Sequence, residues 1–138
     1  MKRCIRLMSI AFLVSLVMAC GGKYDEVEST LSDYADAMED YVARMEKADS
    51  ADAVAKAMKD YTQKIQSLTP RLQEMYKQFP ELASGKKFPE ELEKVSRRME
   101  NISDKVQGAM MKTMQYMMNP EVQKAMTEQA QAMAQTGQ

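Results

Sequence analysis

The chain of 138 residues holds two thiols, Cys4 and Cys20, and no histidine. Neutral imidazole is the usual general base and the commonest metal ligand near neutral pH, so Ser-His, Cys-His and His-metal constellations fall together. Four carboxylates, Asp33, Asp36, Glu39 and Asp40, lie close enough in sequence to share a helical face. A calcium loop would need converging backbone carbonyls and a central Gly, and a di-iron bundle would need Glu-x-x-His; neither pattern is present. Paired carboxylates that cleave glycosidic bonds need a pocket that a narrow bundle seldom offers. These acids therefore read as a solvated face. Thioether copper binding by the abundant Met has no His to support it. The expectation is a chain without catalytic residues, metal or cofactor, and not an enzyme.

The one reactive position with a context is Cys20. Lys2, Arg3 and Arg6 precede the uncharged 13-residue run 7–19, LMSIAFLVSLVMA, which is too short for the roughly 20 residues of a spanning helix. A basic start, a short apolar stretch and a small residue before the break have the physics of an export signal. Val17-Met18-Ala19-Cys20, followed by Gly21-Gly22, resembles the lipobox of bacterial lipoproteins, with Met18 bulkier than usual. The resemblance covers residues 1–22 alone. It implies a signal peptide over 1–19, lipidation of Cys20, palmitate-type acylation of the new amine, and a linker over 20–23. Several acyl chains on one residue anchor a protein stably, each buried CH₂ contributing about 0.8 kcal/mol. Gly21 after the Cys resembles an outer-membrane address, so the expected location is the cell envelope, on the outer membrane facing the periplasm. Cys4 would leave with the signal, and no internal disulfide would form.

Without residues 1–19 the chain carries 16 basic and 20 acidic side chains, a net charge of −4. That sign does not suit nucleic acid. Few Gly and Pro, with much Ala, Met, Lys, Glu and Gln, favour helix. Tyr24, Val27, Leu31, Tyr34, Met38, Tyr41 and Met45 follow coiled-coil-like spacings of 3 and 4. A second series, Val54, Met58, Tyr61, Ile65, Leu68, Leu72, Met75 and Phe79, is out of phase with the first. Asp49 and Ser50 are good N-caps, so a turn near 47–50 explains the jump. Thr69-Pro70 predicts a kink or a capped restart. Phe79-Pro80 to Phe88-Pro89 reads as a connector, each Pro-Glu suiting a first helical turn. A third helix carries Leu92, Val95, Met99, Ile102, Val106, Met110, Met114 and Met117. Asn119-Pro120-Glu121 stops it and caps a short fourth helix with Val122, Met126, Ala130 and Met133. Residues 136–138 read as a frayed tail.

The expected fold is therefore all-α: over 24–135, an antiparallel helical bundle of three long helices plus a short C-terminal helix. Residues 23–49 carry a net −6 and residues 50–118 a net +3, so acids on the first helix should face bases on the next two. Tyr24, Tyr34, Tyr41 and Tyr61 fall on the apolar stripes, as core or edge packing or as a self-association surface. The densest oddity is five Met in residues 108–118. Met110, Met114 and Met117 continue the core stripe, whereas Met111 and Met118 point elsewhere. The leading reading is a loosely packed core end. The other makes Met110, Met111, Met114, Met117 and Met118 an apolar binding surface, because Met adapts to irregular partners. The run ahead of Asn119-Pro120 resembles the helical repeats of co-chaperones over a short stretch. In function the sequence predicts a lipid-anchored, non-enzymatic scaffold or partner-binding module that meets a protein partner or itself. The alternative is a chaperone-like binder of apolar peptide or lipid.

Overall fold

The computed structural model describes residues 22–83 and 88–136. The stretch expected to be a signal peptide, Cys4, Cys20, the Ser84-Gly85 part of the connector and residues 137–138 lie outside the described residues. Those that are described are 88% helical and contain no strand. The protein is an all-α helical bundle with four long helices. They are α1 (Asp25–Lys47), α2 (Ala51–Gln78), α4 (Glu93–Gln115) and α5 (Pro120–Thr136), with a one-turn α3 (Pro80–Ala83) between the second and third. A 3₁₀ turn, Glu90–Leu92, leads into α4. At 17 residues α5 is longer than the short helix expected from sequence.

Local chemistry sets the boundaries. Asp25, Glu26 and Glu28 favour the positive end of α1, and the Gly22 amide donates to Asp25 Oδ2 at 2.7 Å. The turn falls where the phase jump places it: α1 ends at Lys47, and the Ser50 hydroxyl accepts from the Ala53 amide to cap α2. The Asn119 side chain accepts from the Glu121 amide at 2.9 Å, opening α5 with Pro120 as its first residue. Pro70 does not break α2. Thr69 sends its hydroxyl back to the Ile65 carbonyl at 2.9 Å, so it does not cap a restart.

The α1–α2 hairpin is the centre of the molecule. Arg44 pairs with Asp60, Asp40 with Lys64, and Asp33 with Arg71, an antiparallel register held along the whole hairpin. Helix α4 packs on the outside of α1 and α5 on the outside of α2. Arg98 reaches Asp36 and Glu39, while the Tyr116 hydroxyl donates to the Asp49 carbonyl, so α4 runs parallel to α1. Lys59–Glu121 and Gln73–Gln135 likewise set α5 parallel to α2. Successive long helices thus alternate in direction, but the helices appended to the hairpin lie beside a parallel neighbour. Acids on α1 do face bases on α2 and α4. These pairs are exposed, so each contributes about 0–1 kcal/mol.

Two apolar clusters hold the arrangement. The larger joins Ala35, Met45, Val54, Met58, Tyr61 and Ile65 of the hairpin to Ile102 and Ala109 of α4 and Val122 and Ala125 of α5. The smaller closes the other end with Val27, Leu31, Leu72, Met75, Leu92 and Val95. Because α1 is covered on two sides, its buried face is wider than one stripe and takes in Ala35, Ala37 and Val42 as well.

Candidate functional site

Helices α4 and α5 are joined by a short turn yet are not among the closely packed pairs. Each leans on a different strut of the hairpin, and a groove opens between them. Its wider part, about 470 Å³, is lined by Met38, Tyr41, Met58 and Tyr61 below, by Val106, Met110, Thr113 and Met114 on the α4 wall, and by Met126, Gln129, Ala130 and Met133 on the α5 wall. Met133 also lines a second part of about 390 Å³, with Leu31, Tyr34, Ile65, Leu72, Tyr76 and Met99. The two parts make one trough along the hairpin, of a size that holds small-molecule or side-chain cargo.

The sequence stripe places Met110, Met114 and Met117 in the core, and the structure corrects this. All five residues of the Met run are exposed, Met110 by 61%, Met114 by 65% and Met118 by 81%. Ala109 and Thr113 take the buried positions against α1 instead. One residue is about 100° of helix, so this choice turns the Met row out of the α1 contact and over the trough. The same shift occurs in α5. Val122, Ala125 and Ala132 are buried, whereas Met126 and Met133 are 41% and 47% exposed and Ala130 is exposed too. Small side chains let two helix backbones approach closely; a Met between them would hold them apart.

Of the predicted surface residues, the structure brings Met110 and Met114 to the trough wall. Met111, Met117 and Met118 are exposed outside it, towards the α4–α5 turn. Met38, Met58, Met99, Met126, Met133 and Tyr76 were not singled out as a surface. The 3 and 4 spacings of these five Met read as core, Tyr76 falls on no stripe, and only the Ala residues one step away in α4 and α5 signal the competing phase.

The floor is aromatic and fully partnered. Tyr41 and Tyr61 stack with ring centroids 4.8 Å apart. Burial pushes the Tyr61 phenol well above its ordinary range, and neighbouring Tyr34 adds to the shift. Burial also raises Tyr41, with the Thr113 hydroxyl beside it partly offsetting the effect. Tyr76 rises through burial and the nearby Tyr34. All three stay neutral around neutral pH, and the trough lining includes no carboxylate, amine or guanidinium. Along the outward rims helical spacing carries Glu100, Ser103, Gln107 and Met114 on α4, and Gln123, Thr127 and Ala134 on α5, all exposed.

The carboxylates of α1 are engaged elsewhere. Hydrogen bonds from Arg98 hold the Glu39 carboxyl below its usual range, and Lys64 and Arg44 do the same for Asp40. Asp33 and Asp36 are paired with Arg71 and Arg98. Among the described residues no group of His, Cys, Asp and Glu is placed to hold a metal ion. Nor is any described helix long and apolar enough to cross a membrane. No family model, curated protein or solved structure matches this chain. Its function is therefore argued from the trough itself.

Proposed function

We propose that this chain is a lipid-anchored, non-enzymatic module of the bacterial cell envelope that holds another polypeptide against its α4–α5 face. The observation that carries the reading is the open, Met-lined trough with its uncharged lining. Met side chains are flexible and polarisable and mould to varied apolar surfaces. A helical or extended apolar segment laid between α4 and α5 would complete the ring of helices around the hairpin, the helix-in-groove mode of recognition. Nothing in the lining offers a base, a nucleophile or a charged electrophile, so the chemistry available is binding.

The anchor rests on the lipobox-like Val17-Met18-Ala19-Cys20 and on Lys23 and Tyr24 following it almost at once. A tether this short would keep the Tyr24 end of the bundle near the bilayer. The envelope location, facing the periplasm from the outer membrane, belongs to the same reading. Cys20→Ala should leave the chain unprocessed and unacylated; a Cys20→Ala chain that still enters the detergent phase normally would refute the anchor.

Docking is tested by a photo-crosslinking residue at position 114 in intact cells, with exposed position 43 on α1 as control. A polypeptide adduct from 114 and none from 43 is expected. No polypeptide adduct from 114, or equal adducts from both, would end the docking reading. The volume and apolarity of the trough also favour a second reading, uptake of a lipid acyl chain, and an adduct found only with lipid would select it.

A further inference from the structure

Resting on the docking reading, we propose that the exposed Met side chains of α4 and α5 are a site of reversible oxidation by peroxide, and that their conversion to sulfoxide releases what the trough holds. The first support is where the sulfur lies. Among the described residues, every exposed Met falls between Met110 and Met133, in the end of α4, the turn after it and α5. Met45, Met58 and Met75 are buried in the two apolar clusters of the hairpin. Oxidants reach sulfur according to its exposure, so one chain holds a reactive set on the α4–α5 side and a protected set in the core. The second support is what the exposed apolar positions are made of. Apart from Tyr76, the large apolar side chains exposed among the described residues are all Met, with no Leu, Ile or Phe. Leu equals Met in helix propensity and replaces it with little change of volume, so apolarity alone does not require that choice. What Met adds is flexibility and an oxidisable sulfur. The chain has no His and no Trp, and both Cys precede the bundle.

In the step itself the thioether sulfur attacks one oxygen of hydrogen peroxide. An S–O bond forms as the O–O bond breaks, sulfur gives up two electrons, and the second oxygen leaves as water with both protons. The product is polar, and its oxygen accepts hydrogen bonds but donates none. Covered by an apolar segment, that oxygen loses its water and gains no donor. Met110 and Met114 on one wall and Met126 and Met133 on the other each bring such an oxygen to the trough. The bundle itself keeps its core, because the side chains that α4 and α5 bury against the hairpin, Ile102, Ala109, Val122 and Ala125 among them, contain no sulfur. Sulfoxide is also the rung that can be undone. A reductase returns it to thioether with two electrons from a pair of thiols, which leave as a disulfide while the oxygen departs as water.

Two measurements test this. In the first, the purified full-length chain meets a brief dose of hydrogen peroxide and its peptides are mapped by mass. Sulfoxide is expected on the Met of residues 110–118, on Met126 and on Met133, with Met45 and Met58 unmodified and the helical circular-dichroism signal unchanged. Equal sulfoxide on Met45 and Met58, or loss of helix at that dose, overturns the proposal. The second uses isolated envelopes and the crosslinker at position 114. Peroxide should abolish its polypeptide adduct, and a methionine sulfoxide reductase added with a thiol should bring the adduct back. In a chain that also carries Met110→Leu, Met126→Leu and Met133→Leu, which removes the exposed sulfur from both walls, the adduct should survive peroxide. An adduct that persists in the oxidised Met-bearing chain leaves the docking reading standing and overturns the oxidation proposal. So does an adduct that the reductase does not restore, or one that the Leu-bearing chain loses equally, since the oxidised group then lies outside these walls. If no polypeptide adduct forms before peroxide is added, both readings fall.

Discussion

The hairpin and the α4–α5 pair use the same helical spacing of apolar residues to opposite ends. In the hairpin the apolar stripe is bordered by charges that find partners across the seam, Asp40 with Lys64 and Arg44 with Asp60, and the stripe is spent on the core. Val95 and Ile102 bury larger side chains early in α4, but in its C-terminal half and in α5 the buried positions go to Ala109, Thr113, Val122, Ala125 and Ala132, leaving the larger Met side chains uncovered. A helix that packs through small residues commits little of its apolar surface to its own fold. The remainder is available to something else. The buried row and the uncovered Met row are thus separated by about one residue of helical phase.

The sharpest way to break this contrast is to bury a charge on each side of it. Met45→Asp, at a position with 0% exposure, places an unpaired carboxylate in the larger cluster and should cost about 4 kcal/mol or unfold the chain. Met118→Asp, 81% exposed, should change stability by less than about 0.5 kcal/mol. Chemical denaturation at concentrations too low for association compares them, and equal losses would mean that the Met run is core after all. Next in size, Ile65→Ala under the trough should cost about 3 kcal/mol, while Met110→Ala on its wall stays within about 0.5 kcal/mol.

Alkaline pH probes the trough floor. The folded-state pKa of Tyr61 and Tyr41 is raised by burial, so their neutral forms favour the fold up to the unfolded value of about 10. Above that pH the unfolded chain releases protons that the folded chain retains, and stability should fall. Tyr61→Phe should flatten the decline in a melting series from pH 9 upward. A decline of equal steepness in the variant would place its origin outside the floor. The smallest effect belongs to Arg98→Gln. It should cost less than about 1 kcal/mol, and salt should shrink the loss, because its partners Asp36 and Glu39 are exposed. In the wild type, the lowered carboxyl of Glu39 contributes above its unfolded pKa of about 4.3, and that share is lost as pH falls through the folded value. A loss in Arg98→Gln that does not respond to salt would mean that the guanidinium acts through packing.

Much of the architecture was legible in the sequence. The Ser50 cap, the Asn119-Pro120 boundary and the charge contrast between α1 and the later helices each act within a few residues or along a whole face, and composition and spacing report both. The trough was legible only as an oddity. Spacings of 3 and 4 say that Met110, Met114, Met126 and Met133 share faces, but not whether a neighbour comes close enough to cover them. That depends on where α4 and α5 dock, and the docking is decided by Ala109, Ala125 and Ala132, whose small side chains carry little pattern. The parallel placement of α4 beside α1 was hidden for a related reason, since short connections predict antiparallel neighbours and say nothing about which helix lies beside which. At Pro70 the sequence signal was local and real, yet packing of Ile65 and Leu72 on both sides carries α2 through it.

The parallel docking of α4 and α5 also sets an order of assembly. Pairings within the hairpin join residues 16 to 42 apart in sequence, whereas those that fix α4 to α1 and α5 to α2 join residues 59 to 67 apart. Closing the longer loops costs more chain entropy, and their landing faces do not exist until α1 and α2 have met. A chain emerging from its N-terminus can therefore build the central template before the Met-bearing helices arrive, so the surface most prone to indiscriminate sticking is the last to be made.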